Sequence, residues 1–340
     1  MSARGRLLVL AVGVLLLAGV GTGLVVHAAS RAAGRDRADP GAPVVREGGV
    51  TLGRSGRLFF RSMEPGPHSD EIVSVPAADP GAVRTGSGLR CLRFYAAAGT
   101  GICLRADTGL LQSGGRVLIL DSALRVRRSL PYSGIPSRAR VSPSGHLVAW
   151  TVFVSGDSYA VGAFSTRTSI LDTRTGRQAP SLEGFGIELD GRPYHAADAN
   201  FWGVTFARDD DTFYATLGTR NRTYLVRGSL SRRTVRTLAE NVECPSLSPD
   251  GTRIAFKKRV LPGASLWHEY VLDLRTLRET PLAERRSVDD QAEWLDDATI
   301  AYALPGQGTT DRTDLWAVPA DGRGAPRLLA RGGASPSLLR

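Results

Sequence analysis

Lysine is almost absent from this chain. Its two lysines, Lys257 and Lys258, are adjacent, and arginine supplies the rest of the 43 basic residues among 340. The arginines are scattered over predicted turns and strand ends, whereas a surface that tracks phosphates needs its basic side chains in one stripe. The net charge of +10 therefore does not lead us to expect a nucleic-acid partner.

Histidine and cysteine are scarce as well, with five and three residues. Neither His-Glu-x-x-His nor Cys-x-x-Cys occurs, so the common spacings of a zinc site are missing. Acidic runs at 209–211, 289–290 and 296–297 offer oxygen ligands for Ca²⁺ but lack the spacing of a calcium loop, and turns favour aspartate in any case. Gly-x-Ser-x-Gly, the nucleophile elbow of α/β-hydrolases, is also absent. We expect no metal and no other cofactor.

The N-terminus concentrates the hydrophobicity of the chain. Two arginines in residues 1–6 precede an uncharged apolar run at 7–26, which is long enough as a helix to cross a bilayer core of about 30 Å. We predict a signal anchor over 1–29, or a signal peptide cleaved after Ala28, and the length of the run favours the anchor. Residues 30–49 are predicted to be a flexible linker to a globular domain at 50–340. This domain is expected outside the cytoplasm, held to the cell membrane by a single span or secreted.

A short pattern recurs along the predicted domain. Its four copies are "RVSPSGHLVAWTV" (140–152), "VTFARDDDTFYATL" (204–217), "CPSLSPDGTRIAF" (244–256) and "AEWLDDATIAYAL" (292–304). Each copy places a turn between two short apolar runs. Ala215 lies 40 residues before Ala255, which lies 46 residues before Ala301, and a period of this size is typical of propeller blades.

Each copy continues into two further strands, as in "YVLDL" at 270–274 and "RETPLAE" at 278–284. Four short strands joined by turns form one antiparallel sheet, which must stack against neighbours to bury both faces. Two earlier units with weaker signals are predicted at 56–78 and 87–122, and "GASPSLLR" at 333–340 resembles the strand that the first unit lacks. We therefore predict an all-β fold, a six-bladed β-propeller with four-stranded antiparallel blades, closed by the C-terminal strand and preceded by the N-terminal transmembrane or signal helix.

The repeat resembles that of the TolB-like β-propellers, a family of WD40-like PD40 repeats. Residues 248–256 match the family's Ser-Pro-Asp-Gly turn and Ile-Ala-Phe strand closely, 142–150 match well, 294–302 moderately, and the first two units only in outline. The resemblance covers 50–340 and implies blade structure, but no particular activity. The family's namesake carries an additional N-terminal α/β domain, for which we find no room before residue 50. We therefore do not carry over its role in an envelope complex.

The turn residues of the repeat are expected to have a structural role in the blade rather than a catalytic one. In Pro249-Asp250-Gly251, proline fixes φ, aspartate can bond neighbouring backbone N–H groups, and glycine accepts a positive φ. We expect the small Ala255 to pack near the narrow hub. The aromatic residue that follows it, Phe256, is expected to fill the wider space between blades.

Two cysteines, Cys91 and Cys103, flank a predicted turn of the second blade, on strands that we expect to pair. Outside the cytoplasm they are a candidate disulfide, and two free buried thiols are the alternative. Cys244 has no obvious partner and is expected to be a buried, inert thiol.

Candidate ligand-binding residues fall in two places. An insertion at 180–200 lengthens the interval between two copies of the repeat, and a second group lies at the start of a predicted strand in the fifth blade. The candidates are Tyr194, His195, Asp198, Asn200 and Trp202 in or beside the insertion, and Trp267 and His268, followed by Glu269, in the second group. Aromatic, carboxylate and imidazole groups together are typical of a binding site, although loops that merely cap a propeller share this composition.

We expect a monomeric, non-catalytic module that binds a protein or a cell-envelope ligand. Its variable loops would lie at one rim, with 180–200 the most prominent. The alternative is an extracytoplasmic lyase or glycan hydrolase with its site at the mouth of the propeller channel. A channel lined by histidine, arginine, tyrosine and carboxylates would favour the enzyme. A channel lined by serine, threonine and backbone would favour binding.

Overall fold

The computed structural model describes residues 13, 19–23, 26, 41–107, 114–154, 165–260, 266–306 and 312–340. The chain divides into two compact units, Met1–Ala42 with Glu64–Ser69, and Pro43–Met63 with Asp70–Arg340. In the first unit the described residues 19–23 are helical. The remainder of the predicted signal or anchor segment at 1–29 lies almost entirely outside the described residues. Where the structure does describe the chain, we find no helix with the length and hydrophobicity that crossing a membrane requires.

The second unit is a six-bladed β-propeller, and each blade contains four antiparallel strands arranged around a central channel. From the channel outward, blade 1 contains β27 (Gly333–Leu339), β2 (Arg57–Ser62), β3 (Glu71–Pro76), β4 (Arg84–Arg90) and β1 (Val45–Glu47). Blade 2 contains β5 (Arg93–Ala97), β6 (Thr100–Ala106), β7 (Gly114–Leu120) and β8 (Val126–Ser133). Blade 3 contains β9 (Ile135–Val141), β10 (Leu147–Val154), β11 (Ser165–Asp172) and β12 (Gln178–Ala179).

The remaining three blades follow the same order. Blade 4 contains β15 (Asn200–Phe206), β16 (Thr212–Thr219), β17 (Arg222–Ser229), β18 (Thr234–Glu240), β13 (Gly186–Leu189) and β14 (Arg192–Tyr194). Blade 5 contains β19 (Glu243–Leu247), β20 (Arg253–Arg259), β21 (Trp267–Asp273) and β22 (Glu279–Pro281). Blade 6 contains β23 (Glu293–Trp294), β24 (Thr299–Pro305), β25 (Thr313–Pro319) and β26 (Arg327–Ala330). The predicted six blades are confirmed.

The last strand of the chain closes the ring. β27 pairs antiparallel with β2, from Leu339 opposite Arg57 to Gly333 opposite Ser62. The strand that the first unit lacks in sequence is therefore supplied from the other end of the propeller. Closure of this kind pairs the inner edge of β2 and joins the two ends of the propeller in one sheet.

Two blades exceed four strands. β1 adds a fifth strand to blade 1, parallel to β4, and it falls inside the range that the sequence analysis assigned to a flexible linker. In blade 4, the insertion forms a short 3₁₀ helix (Leu182–Gly184) followed by β13 and β14, and β13 pairs with the outer strand β18. The structure differs here from the prominent rim loop that we expected, because the insertion extends the outer edge of a sheet.

Side chains of each second strand alternate between the two neighbouring blades. In blade 5, Ile254 and Phe256 pack in a cluster shared with blade 4, whereas Ala255 packs against blade 6. In blade 6, Tyr302 faces blade 5 and Ala301 faces blade 1. Successive side chains of a strand point to opposite faces of the sheet. The aromatic residue of the repeat therefore fills an interface between blades, as expected, and the small residue faces the interface on the other side of its blade.

Blade 4 follows the repeat with an offset of one residue. The pairing of Phe206 with Phe213 places Tyr214, rather than Ala215, at the position of Ala255. Tyr214 accordingly packs toward blade 5, and Ala215 packs toward blade 3. A slip of one residue exchanges the two faces of a strand, so alignment of the alanines misplaces this copy of the repeat.

Cys91 and Cys103 form a disulfide, as predicted. Cys103 lies on β6, but Cys91 lies in the connection before β5, where its N–H donates to the carbonyl of Asp70. The bridge therefore attaches a connection between blades to the second strand of blade 2. Cys244 is a free, buried cysteine, as expected.

Candidate functional site

The central channel opens into a pocket on the side where the first and second strands of each blade are joined. This turn-side pocket has a volume of about 390 Å³. Its rim includes Pro143, Arg208 and the Ser248–Gly251 turn, and Leu247, Trp294 and Leu338 contribute apolar surface. The repeat motif of the sequence therefore shapes the mouth of the channel.

The Ser-Pro-Asp-Gly turn of blade 5 is held by its own side chains. Ser248 Oγ donates to Asp250 Oδ1 at 2.5 Å, and the same oxygen accepts the Thr252 N–H at 2.9 Å. Burial would raise the pKa of Asp250, but hydrogen bonds from Ser248 and Thr252 lower it below its ordinary value. The Asp250 N–H in turn donates to Asp297 Oδ1 of blade 6 at 3.0 Å. Asp250 thus orders the turn and joins two blades.

The equivalent turn of blade 3 is joined to blade 4 through Asp210. Ser144 Oγ donates to Asp210 Oδ1 at 2.5 Å, and His146 Nδ1 lies 2.8 Å from Asp210 Oδ2. The neighbouring Asp209 and Asp211 accept hydrogen bonds from Thr212 and from Ser229 and Ser231. In the parts of the chain that the structure describes, no three potential metal-ligating side chains converge. The aspartates at 209–211 therefore accept hydrogen bonds that stabilise turns.

One ring of channel residues is defined by its position in the repeat. Arg140, Thr205, Ser246 and Glu293 each lie two residues before the turn of their blade, and Tyr95 and Ser337 take the same place in blades 2 and 1. We call these six residues the turn-side layer. Arg140 reaches Glu293 and Ser246 across the channel. The hydroxyls of Thr205 and Ser337 instead accept backbone N–H groups of the neighbouring blade.

A buried hydrogen-bonded cluster occupies this layer. Arg140 Nη1 donates to Glu293 Oε2 at 2.7 Å, and the Tyr95 hydroxyl donates to the same oxygen at 3.0 Å. The guanidinium carbon of Arg140 lies 4.4 Å from the centre of the Tyr95 ring, and Leu338 N–H donates to Glu293 Oε1 at 3.2 Å. Burial and the adjacent Glu293 raise the pKa of the Tyr95 hydroxyl. The cluster joins blades 1, 2, 3 and 6 and leaves Glu293 fully engaged.

A second ring, the start-side layer, lies two residues earlier in each blade and consists of Arg93, Arg138, Gly203, Cys244, Gln291 and Ser335. The backbone has a positive φ at Gly203, Cys244 and Ser335. At Gly203 a side chain would also collide with the backbone, because an added Cβ would lie 2.7 Å from the Cα of Cys244. At this layer β15 and β19 therefore approach each other closely.

Positive charge dominates the start-side layer. Arg93 donates to the carbonyls of Ser137 and Leu92, at 2.5 and 2.9 Å. Burial and the neighbouring Arg138 lower the pKa of Arg93 to about 10. Burial opposes the charge of Arg138 as well, but Cys244 and two nearby aspartates raise the pKa of its guanidinium.

Asp289 is the carboxylate that reaches these cations. Its Oδ1 accepts from Lys257 Nζ at 2.5 Å and lies 3.6 Å from Arg138 Nη2. The Lys257 side chain is only 4% exposed, and its ammonium lies 4.6 Å from the centre of the Trp267 ring. Burial alone would raise the pKa of Asp289, but Lys257 holds it below its usual range.

Glu269 is a buried acid beside this group. It lies opposite Lys257 on the paired strands β20 and β21 and is completely shielded from solvent. Neither carboxyl oxygen has a hydrogen-bond partner among the described residues. Burial raises the pKa of Glu269 to about 8, although Lys257 acts in the opposite direction. The carboxyl is therefore mostly protonated at neutral pH.

The predicted site residues of the insertion do not reach the turn-side pocket. Tyr194 and Asp198 both bond Thr219 Oγ1, at 2.7 and 2.8 Å, and the Arg220 guanidinium lies 4.7 Å from the centre of the Tyr194 ring. These contacts surround the turn between β16 and β17. His195 is exposed and takes no part in them.

The other predicted residues are also used within the fold. Asn200 Oδ1 accepts from Ser165 Oγ at 2.9 Å and thereby joins blades 4 and 3. Trp202 covers Gly218, where a Cβ would lie 2.7 Å from the indole ring. Trp267 donates to Glu243 Oε1 at 3.2 Å, and His268 is half-buried on the same strand. Of the sequence candidates, Trp267 and Glu269 lie beside Lys257, next to the start-side layer.

The channel residues that matter most were missed from the sequence. Arg140 and Glu293 fall inside copies of the repeat, but the residue type at this position changes from copy to copy, and Tyr95 lies in a unit with a weaker signal. The available signal is their shared position two residues before each turn, which becomes visible only when the copies of the repeat are aligned on their turns. The channel contains the arginine, tyrosine and carboxylates that we associated with an enzyme. Among the described residues, however, no histidine lines the turn-side pocket.

These features define a six-bladed β-propeller with a charged, internally bonded channel and an open pocket at one mouth. The fold is similar to that of TolB from Acinetobacter baumannii, with a TM-score of 0.59 and 14% identity over 84% of this chain and 67% of that one. The expected TolB-like fold is thereby confirmed. No protein-family model matches the chain, and a search of curated proteins finds no match.

Enzymes also appear among the similar structures. A puromycin-hydrolysing peptidase from Mycobacterium tuberculosis matches with a TM-score of 0.46 and 16% identity, over 77% of this chain and 42% of that one. An oligogalacturonate lyase from Vibrio parahaemolyticus matches with a TM-score of 0.43 and 8% identity, over 79% of this chain and 92% of that one. Likeness at this level concerns the fold and leaves activity open.

Proposed function

We propose that this propeller is a non-catalytic binding module that holds a segment of a protein or a cell-envelope ligand in the turn-side pocket. The observation that carries the proposal is the state of Glu293, the carboxylate at the floor of the pocket. It already accepts hydrogen bonds from Arg140, Tyr95 and Leu338, so a substrate would find no free base there.

The lining of the pocket supports binding. A volume of about 390 Å³ is within the usual range for a ligand pocket, and such pockets combine apolar walls with a few polar groups. Leu247, Trp294 and Leu338 offer apolar contact, while Arg208 and Arg340 offer donors near the rim. The described residues of the pocket include no histidine beside a hydroxyl or thiol, which nucleophilic catalysis would need.

The location that we propose is the outer side of the cell membrane. Two features favour it: the apolar run at 7–26, which suits a signal or a single span, and the Cys91–Cys103 disulfide, which suits an oxidising compartment. In this arrangement the propeller is a monomer held near the membrane by residues 1–29 and their linker.

Site-specific crosslinking in cells tests the binding proposal. A photo-crosslinking amino acid in place of Arg208, which is exposed on the rim of the pocket, should yield a discrete crosslinked partner. The same amino acid in place of Arg323, an exposed turn residue of blade 6, serves as the matched control. Identical crosslinking patterns from both positions would rule out the pocket as the binding site.

A second candidate function is an extracytoplasmic lyase or glycan hydrolase at the same mouth. The observation that favours it is the meeting of Tyr95, Arg140 and Glu293 within one buried cluster. Release of new reducing ends from envelope glycans, lost in Glu293→Gln, would support this candidate. No release from any glycan tested, together with retained crosslinking in Glu293→Gln, would favour the binding module.

A further inference from the structure

A small cavity lies between the two layers of channel residues, separate from the turn-side pocket. Its volume is about 20 Å³, and its lining includes Arg93, Arg138, Arg140, Asp290, Tyr95 and Gln291. A cavity of this size holds one body about as large as a water molecule. Three guanidinium groups around so small a space are unusual, because like charges repel strongly when they are shielded from water.

Two N–H groups at this cavity have no acceptor. The Nε atoms of Arg138 and Arg140 are buried without a hydrogen-bond partner among the described residues. The side chain of Arg140 is only 6% exposed, so bulk water does not satisfy it. A guanidinium group can only donate, and leaving a buried donor of a charged group unpaired costs more than leaving a neutral one. Both residues line the cavity, so an acceptor inside it could satisfy these donors.

The charges around the cavity do not balance. Three guanidinium groups, those of Arg93, Arg138 and Arg140, line the cavity together with one carboxylate, that of Asp290. Asp290 Oδ1 and Oδ2 accept backbone N–H groups of Gln291 and Ala303. Arg93 bonds backbone carbonyls and has no ion pair among the described residues. Arg140 and Arg138 pair with Glu293 and Asp289, so Arg93 is the cation of the lining without a counter-ion among the described residues.

We propose that this inter-layer cavity binds a single halide-sized anion, with chloride as the natural occupant. One monovalent anion supplies an acceptor for the free Nε groups and offsets the surplus positive charge. A water molecule would supply the acceptor but no charge, and a phosphate or sulfate ion exceeds the space. The anion joins blade 2, through Arg93, to blade 3, through Arg138 and Arg140, so it acts as a stabilising ligand of the ring.

Thermal unfolding of the full chain tests the site. Chloride is titrated against gluconate at constant ionic strength, so that screening stays the same. We expect the Tm to rise with chloride, by about 5 °C when chloride exceeds its Kd a hundredfold. Bromide should act in the same way, whereas sulfate should not. Equal melting temperatures in chloride and gluconate would overturn the proposal.

Arg93→Gln removes the surplus charge and is expected to abolish the chloride-dependent shift. Arg323→Gln, on an exposed turn of blade 6, is the matched control and should keep the shift. If the Arg93 variant does not fold, crystals of the unaltered protein grown in bromide decide the matter. An anomalous peak between the Arg93, Arg138 and Arg140 side chains is the expected result. A water molecule in that position, without anomalous signal, would contradict the assignment.

Discussion

Arg140 and Glu293 lie 2.7 Å apart across the channel, although 153 residues separate them in sequence. Arg140 comes from blade 3 and Glu293 from blade 6, so the pair spans the diameter of the ring. Both side chains are almost completely buried, at 6% and 2% exposure. A contact of this kind exists only when all six blades are in place. The Arg140–Glu293 pair therefore reports on assembly of the ring.

Loss of the Glu293 charge should destabilise the propeller. Glu293→Gln leaves the buried Arg140 without its counter-ion, and breaking a buried pair in this way costs about 3 kcal/mol. Urea unfolding measures the loss. Glu240→Gln is the control, because Glu240 pairs with Arg222 at an exposed position, and its replacement should change stability by less than about 0.5 kcal/mol. Similar losses of unfolding free energy in both variants would show that the channel pair stabilises the fold no more than an exposed pair does.

Removal of residues 333–340 should lower the melting temperature sharply. The deletion takes away β27, leaves β2 with an unpaired edge in the channel, and removes the Leu338 N–H from Glu293. Val45→Pro, in the three-residue outer strand β1, is the control and should have a small effect. A melting temperature unaffected by the deletion would contradict ring closure by β27.

The Cys91–Cys103 bridge should be present in protein recovered from cells without reduction. Peptide mass spectrometry under non-reducing conditions is expected to show the linked pair, and Cys244 is expected to be alkylated only after unfolding. Cys91→Ser should cost about 2–3 kcal/mol, because a short loop is then open in the unfolded chain. Alkylation of both cysteines as free thiols would argue against the bridge and against an oxidising compartment.

Glu269 should make stability depend on pH. Its folded pKa of about 8 lies above the value near 4.5 of an ordinary glutamate, so the folded protein retains a proton that the unfolded chain releases. This contribution to stability is fully present below about pH 4.5 and is lost as the pH rises toward 8.

The matched variant is Glu269→Gln, which cannot ionise. Urea unfolding at pH 5 and pH 8 should show that the variant gains stability relative to the unaltered protein as the pH rises, by on the order of 1–4 kcal/mol. Glu240→Gln, at an exposed site, should show no such trend. A pH-independent difference between the Glu269 variant and the unaltered protein would mean that Glu269 is ionised in the fold.

The channel residues were not predicted from the sequence because only their position within the repeat relates them to one another. The search for ligand residues favoured the insertion, because aromatic, acidic and imidazole groups cluster there along the chain. The structure uses Tyr194 and Asp198 around one turn and brings Tyr95, Arg140 and Glu293 together from three blades. These residues are far apart in sequence and differ in type, so local composition does not find them.

The sequence by itself determined the blades of this protein. Turn residues such as those of Pro249-Asp250-Gly251, and strand periodicity, act over a few residues, so they specify hairpins, the number of sheets and the strand that closes the ring. Only the tertiary structure decided which charges meet in the channel, the extension of blade 4 by β13 and β14, and the one-residue offset of Tyr214. These depend on strand register and on contacts between distant segments, where a shift of one residue reverses the face that a side chain occupies.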